Sequence, residues 1–320
     1  MARFLGIDTS NYTTSAAIYD SSDGSVVREK LMLPVKEGGC GLRQSDAVFH
    51  HTVQLPKVIA ALADRTDIKN ISAVGVSYRP RNIDGSYMPC FLCGEGLADN
   101  LGRFLGVPVF KTSHQIGHIL AALYSADRLD LLSENFIAFH ISGGTTDCLY
   151  CSPDEKDILS VSEICASLDL KGGQLIDRTG VMLGLKFPCG VQLEKLAEKS
   201  TADPSKMNVR PVMKDGSCCL SGFENKFGKM LSEGAAHEDI ALACQYAVAA
   251  SAAKMTEYAF SQKGRLPVLY AGGVMSNKYI RKYIADRYEN TYFAAPEFSC
   301  DNAAGTALFA AFSNGVMKCQ

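Results

Sequence analysis

Two stretches of this chain are built alike. Phe4-Leu5-Gly6-Ile7-Asp8-Thr9-Ser10-Asn11-Tyr12-Thr13-Thr14 lines up with Phe136-Ile137-Ala138-Phe139-His140-Ile141-Ser142-Gly143-Gly144-Thr145-Thr146, 132 positions later. Each copy is an apolar strand, then Ser-x-x-Thr-Thr, then a second apolar strand. The copies fall where two equal lobes would each begin, so the echo predicts two related lobes, each opening on a β-turn-β unit, although two unrelated hairpins would give the same pattern. Periodicity fills in the rest. Strands are expected over 4–8, 14–20, 26–33, 71–78, 107–110, 136–141, 146–151 and 267–270. Helices are expected over 47–62, 90–105, 115–124, 173–183, 191–199, 235–262, 277–285 and 303–314, with a loop at Gly38-Gly39-Cys40-Gly41. Strands alternating with helices give an α/β architecture with covered sheets.

Composition narrows the function classes. At 320 residues the chain exceeds one small domain, and 47% hydrophobic against 21% charged residues is enough to bury full cores. The net charge of −2 argues against a nucleic-acid binder working alone, so an RNA substrate would need a partner or a local basic patch. Met1-Ala2-Arg3 runs directly into the first strand, and no apolar run reaches the roughly 18 residues of a membrane helix. A cytoplasmic protein with no membrane contact is expected. The 12 cysteines are scattered, as free buried thiols in a reducing compartment would be. Two Cys-x-x-Cys pairs, Cys90/Cys93 and Cys148/Cys151, could suggest zinc. The second pair sits in a strand, where side chains three apart face opposite ways, which opposes that reading.

Three glycine-bearing turns could cradle an anion. Ser142-Gly143-Gly144-Thr145-Thr146 offers backbone N–H groups and hydroxyls, although a plain hairpin turn has the same composition. Ala271-Gly272-Gly273-Val274-Met275-Ser276-Asn277 follows a buried strand and precedes a helix, where Asn277 could face a ligand or simply cap. Gly172-Gly173-Gln174-Leu175-Ile176-Asp177 opens another helix, and Asp177 could hold a ribose hydroxyl. No Gly-x-x-x-x-Gly-Lys-Ser/Thr occurs, which excludes a P-loop protein.

His114-Gln115-Ile116-Gly117-His118 is the sharpest metal signal, because residues four apart share a helix face. A capping histidine plus a surface histidine would give the same spacing. Asp301 in Ser299-Cys300-Asp301-Asn302 is the candidate oxygen ligand. His50, His51, His140 and His237 show no pattern that assigns them a role.

Together these motifs resemble the tRNA threonylcarbamoyladenosine transferase family, once described as O-sialoglycoprotein endopeptidases. The similarity runs nearly the whole chain in order, through Gly6-Ile7-Asp8-Thr9-Ser10, His114-x-x-x-His118, Ser142-Gly143-Gly144-Thr145 and the turn ending at Asp177. It continues through Leu183-Gly184-Leu185-x-x-Pro188-x-Gly190, Leu220-Ser221-Gly222-Phe223, Ala271-Gly272-Gly273-Val274-x-x-Asn277 and Cys300-Asp301-Asn302-Ala303-Ala304. The resemblance implies a two-lobed actin-like or sugar-kinase-like ATPase fold made of duplicated ribonuclease-H-like lobes. The first lobe would span 1–130, with a helix in 301–320 packing back on it, and the second 131–300. In that plan the two turns face each other across a cleft. His114, His118 and Asp301 would hold one divalent metal ion, iron or zinc. Ser142, Gly143, Gly144, Thr145, Asp177, Gly190, Gly272, Gly273 and Asn277 would bind an adenine nucleotide or acyl-adenylate. The implied reaction moves a threonylcarbamoyl group from its adenylate to N6 of adenosine 37 in tRNA and releases AMP. Partner proteins of the threonylcarbamoylation machinery, and a homo- or heterodimer, are the implied assembly.

The sequence also departs from that family. Cys-Asp-Glu-Thr usually follows Gly-Ile-(Glu/Asp)-Thr-Ser, whereas Asn11-Tyr12-Thr13-Thr14 stands here. Both acids that serve the transfer in the family are absent; Ser10 and Thr13 are the catalytic candidates at that turn. Arg178 follows Asp177 where Lys is usual, and the loop before Cys90 lacks Gly-Pro-Gly. A kept ligand site with altered acid–base equipment leaves three readings: the tRNA transferase, a related carbamoyltransferase with another acceptor, and a non-catalytic nucleotide-binding partner. A metalloprotease is disfavoured, since His114 lacks the following Glu of His-Glu-x-x-His.

Overall fold

The computed structural model describes residues 2–10, 12–34, 42–299 and 303–317. Its first elements are β1 (Arg3–Ser10), β2 (Thr13–Asp20), β3 (Val26–Met32), α1 (Gln44–Arg65), β4 (Ile71–Arg79), α2 (Phe91–Leu105), β5 (Val109–Ser113) and α3 (His114–Ser125). There follow β6 (Phe136–Ile141), β7 (Thr146–Asp154), β8 (Ile158–Ala166), α4 (Gly172–Met182), α5 (Gly190–Ala197), β9 (Val212–Lys214), β10 (Ser217–Cys219) and α6 (Ser221–Ser232). The last are α7 (His237–Lys263), β11 (Val268–Ala271), α8 (Lys278–Ala285), β12 (Thr291–Phe293) and α9 (Ala303–Ser313). By contacts the chain divides into two units. Unit 1 is Met1–Glu134, Ser152–Ser160 and Cys300–Gln320, and unit 2 is Asn135–Cys151 and Val161–Ser299.

The sheet of unit 1 runs in the order β3-β2-β1-β4-β5. β1 and β2 are antiparallel with Ser10 opposite Thr13, and β1, β4 and β5 are parallel. β1 is almost wholly buried because both its faces are covered. Leu5 and Ile7 meet Leu55, Val58 and Leu62 of α1 on one side, and Phe4 packs with Ala307, Leu308 and Ala311 of α9 on the other. The small residues of α9 let it lie close to its neighbours. A Cβ on Gly305 would stand 1.8 Å from the Gly117 carbonyl oxygen of α3.

The sheet of unit 2 runs β12-β11-β6-β7-β8, which repeats the order of the first sheet with β6 in the place of β1. β6 and β7 are antiparallel with Ile141 opposite Thr146, and β6, β11 and β12 are parallel. The echo between residues 4–14 and 136–146 is thus a repeat of topology. Phe139, Tyr270 and Phe293 stack across the parallel strands at centroid distances of 4.9 and 5.3 Å, and the Tyr270 hydroxyl meets Thr256 of α7 at 2.7 Å. α7 is alanine-rich and buried along most of its length, as befits a helix covered on all sides.

Several elements differ from the sequence expectation. The strand expected over 107–110 is Val109–Ser113, because the helix before it ends at Gly106 in a left-handed cap and Val107 serves that turn. β8, β12, α6 and the β9–β10 hairpin were not expected. α6 carries only Phe223 and Phe227 as buried residues, too few for a clear helical stripe. Among the described residues every cysteine is a free thiol, and no helix is long and apolar enough to cross a membrane.

Candidate functional site

In unit 2 the parallel strands β6 and β11 pair as far as His140 and Ala271, so the turns after them lie side by side. Ligands of α/β sheets gather at such carboxyl ends of strands. The third turn is drawn in by hydrogen bonds. Gly173 N–H donates to the Ser142 carbonyl at 3.0 Å, and Gly172 N–H donates to Thr146 Oγ1 at 2.8 Å, which seats the N-terminus of α4 against the β6–β7 turn. Space there is tight: a Cβ on Gly173 would stand 2.6 Å from Gly143 N.

These turns enclose a cavity of about 380 Å³ lined by Gly143, Gly173, Asp177, Gly190, Glu194, Gly273 and Asn277, with Ile176, Pro188, Val191, Val274 and Ser276. Five of the expected nucleotide-site residues therefore meet: Gly143, Asp177, Gly190, Gly273 and Asn277. Ser142, Gly144, Thr145 and Gly272 stand outside the lining. Ser142 Oγ accepts from Gly144 N and Thr145 N at 3.2 Å each and pairs with Thr145 Oγ1 at 2.9 Å, so these hydroxyls hold the turn in shape.

Asp177 Oδ1 accepts from Cys189 N at 2.8 Å. Burial raises the Asp177 carboxyl above its ordinary pKa, and the Cys189 N–H opposes that rise. Asn277 Oδ1 caps α8 by accepting from Ile280 N at 3.0 Å, and Nδ2 is the donor end of the same side chain. Its capping and lining roles, alternatives in the sequence, coexist. Glu194, which the sequence did not single out, accepts from Lys278 N at 2.8 Å. Its only signal was a place one turn beyond Gly190.

Unit 1 holds the histidine pair. His114 opens α3 directly after β5, and Ser113 rather than a histidine caps that helix through Ile116 N. The His114 and His118 rings lie with centroids 4.6 Å apart at 70°. His114 Nδ1 lies 2.8 Å from Asp8 Oδ2, and Asp8 is 1% exposed. Asp301 and Cys300 lie outside the described residues, as do Asn11 and the loop at Gly38-Gly39-Cys40-Gly41. Among the described residues no group of three or more His, Cys, Asp or Glu is placed to hold a metal.

At the β1–β2 turn Ser10 is buried, Thr13 is half-buried and Tyr12 is 40% exposed. Beside them sits a histidine without a sequence signal. His51 of α1 is fully buried, with Nδ1 2.8 Å from Thr14 Oγ1, and that hydroxyl donates to Gln54 Oε1 at 2.9 Å. The hydroxyl proton is committed to Gln54, so His51 must donate from Nδ1, while its buried Nε2 meets no hydrogen-bond partner among the described residues. Burial lowers the His51 pKa to about 4, against a smaller opposing pull from Asp8.

Comparison with known proteins agrees with this architecture. The chain is similar over its whole length to the (R)-2-hydroxyglutaryl-CoA dehydratase component A of Acidaminococcus fermentans, with TM-score 0.58, 17% identity, and coverage of 98% of this chain and 100% of that one. It is similar also to the xylulose kinase of Rhodospirillum rubrum, with TM-score 0.59, 12% identity, and coverage of 98% and 90%. The fold is accordingly the actin-like, sugar-kinase-like one. In sequence the chain is 30% identical over 324 residues to the tRNA N6-adenosine threonylcarbamoyltransferase of Thermosipho africanus (strain TCF52B), covering 95% of this chain and 92% of that protein. The family model described as tRNA N6-adenosine threonylcarbamoyltransferase matches residues 35–308, and the chain belongs to that family.

Proposed function

We propose that this chain transfers a threonylcarbamoyl group from its adenylate to N6 of adenosine 37 in tRNA and releases AMP. The observation that carries this reading is the unit 2 cavity, whose charged lining consists of Asp177 and Glu194, with no Lys or Arg among the described residues. A nucleoside triphosphate would bring about four negative charges to a site walled by carboxylates, whereas an acyl-adenylate brings about one. Asp177 accepts a ribose hydroxyl, Asn277 donates from Nδ2, and the backbone N–H groups of the glycine turns face the single phosphate. Ser142, Gly144, Thr145 and Gly272 hold those turns in shape. In the transfer the N6 lone pair forms the new C–N bond, the acyl carbon–oxygen bond to phosphate breaks, and AMP departs with that electron pair while N6 loses a proton to water. Ser10 and Thr13 are the hydroxyls that orient the acceptor.

His114 and His118 suit one divalent ion, iron or zinc, because both rings lie on one helix face and imidazole nitrogens are ligands of either ion. Asp301 completes the donor set in this reading. A bound ion would polarise the acyl carbonyl. The two units are the two lobes, tRNA is presented with the help of partner proteins in a homo- or heterodimeric assembly, and the acceptor implies the cytoplasm. A related carbamoyltransferase with another acceptor is the second reading, favoured by Tyr12 and Thr13 in place of acids.

The test is metal content of the protein purified without added metal, together with threonylcarbamoyl transfer from synthetic adenylate to tRNA in the presence of partner proteins. About one equivalent of iron or zinc, lost in His114→Ala and in His118→Ala, with modified tRNA formed by the parent protein, is expected. AMP release without modified tRNA, in favour of another acceptor, would replace the first reading with the second. No metal and no AMP release would leave a nucleotide-binding partner.

A further inference from the structure

Asp8 is among the most deeply buried carboxyl groups of the described residues, and each of its oxygens is engaged. Oδ1 accepts the backbone N–H of Ser10 at 2.7 Å, and Oδ2 lies 2.8 Å from His114 Nδ1. A buried carboxylate that already accepts from a backbone amide is an acceptor, so the ring nitrogen facing it carries the proton. With Nδ1 turned to the carboxylate, Nε2 is the ring nitrogen that would meet a metal. The strand geometry makes the contact durable. Asp8 lies near the end of β1, where pairing with Ser15 of β2 fixes the backbone, and His114 is the first residue of α3, directly after β5. Phe91 meets the His114 ring edge-on at 6.1 Å.

We infer that Asp8 is a positioning residue that clamps His114 through Nδ1, directs Nε2 to the metal, and ties the metal-binding helix to the β1–β2 turn through Ser10. This rests on the metal reading of His114 and His118 given above. A carboxylate behind a ligating histidine fixes ring orientation and raises ligand basicity, and its loss costs about 10- to 100-fold in metal affinity. The second contact distinguishes this carboxylate from a simple support. Removing it releases the backbone of Ser10, so the histidine and the turn with Ser10 and Thr13 shift together.

Cobalt(II) titration of the metal-free, full-length protein, followed by visible absorption, tests the inference. Asp8→Asn is expected to weaken cobalt binding about 10- to 100-fold and to change the visible band, while Asp8→Glu, which keeps an acceptor carboxylate, recovers most of the loss. Thermal unfolding followed by circular dichroism on the same samples reports folding. A second measurement needs no change at Asp8: long-range ¹H–¹⁵N NMR of the zinc-loaded parent protein, with the resonance assigned by its absence in His114→Gln. Protonated Nδ1 and coordinated Nε2 support the clamp, and coordination through Nδ1 overturns it. If the parent protein binds one cobalt, His114→Ala does not, and Asp8→Asn binds like the parent, the clamp alone falls. If the parent and His114→Ala take up cobalt alike, the metal reading falls and the clamp with it.

Discussion

The Asp177 carboxylate accepts the backbone N–H of Cys189 at 2.8 Å, so α4 and the residue preceding α5 are joined at the wall of the unit 2 cavity. The same side chain therefore holds the wall and lines the cavity. Asp177→Asn keeps an acceptor for Cys189 but loses the charge, and Asp177→Ala loses both. Titration calorimetry with AMP is expected to show a loss of about tenfold or more for Asp177→Ala, consistent with a charged hydrogen bond worth about 1.5–3 kcal/mol, and a smaller loss for Asp177→Asn. Equal affinities in all three proteins would remove Asp177 from the nucleotide site.

Gly173 admits no side chain. Its Cβ would stand 2.6 Å from Gly143 N and 2.8 Å from Gly143 Cα, both backbone atoms that cannot swing aside. Gly173→Ala should push the β6–β7 turn away from α4, at a cost of about 1–3 kcal/mol in urea unfolding, and weaken AMP binding in the same preparation. A variant as stable as the parent, with unchanged AMP affinity, would show that the turn relaxes freely.

Gly305 presents the same problem in unit 1, against the Gly117 carbonyl of α3. Gly305→Ala should cost roughly 2–4 kcal/mol and lower the thermal midpoint by several degrees. Because Gly117 lies between His114 and His118, metal affinity should fall with it. A midpoint within a degree of the parent would mean that α9 slides without penalty.

His51 gives the fold a predictable acid sensitivity. Its pKa falls from 6.5 to about 4 on folding, chiefly through burial. Between those values the unfolded chain binds the proton and the folded chain does not, so stability is full above pH 6.5 and declines as pH falls towards 4. The loss attributable to this one group is about 3 kcal/mol. His51→Asn retains a donor for Thr14 but cannot titrate. Its urea midpoint should vary less between pH 7 and pH 4.5 than that of the parent, whatever its stability at pH 7. Identical pH slopes would place the acid-sensitive group elsewhere.

Legibility in the sequence followed local chemistry. β6 was read with its observed limits because Phe136–Ile141 is apolar and ends at a Ser-Gly-Gly turn. His114 and His118 were visible because a helix brings residues four apart together. Glu194 was not, because its place in the cavity depends on packing against Lys278, 84 positions away in sequence. His51 was hidden for a related reason: its meaning lies in Thr14, on another element, and one turn of α1 supplies no motif. The hydrogen bond between the Ser142 and Thr145 hydroxyls, three residues apart in one turn, is by contrast local.

The position of α9 has a consequence for biosynthesis. Phe4, Gly6 and Gly75 are made well before the helix that covers them, Ala303–Ser313, which leaves the ribosome some 200 residues after β4. During translation the first sheet must wait with one face exposed to water while the second is completed from segments made in between. Premature termination before α9 would leave that apolar face uncovered and prone to aggregate, even with every residue of the unit 2 cavity already made.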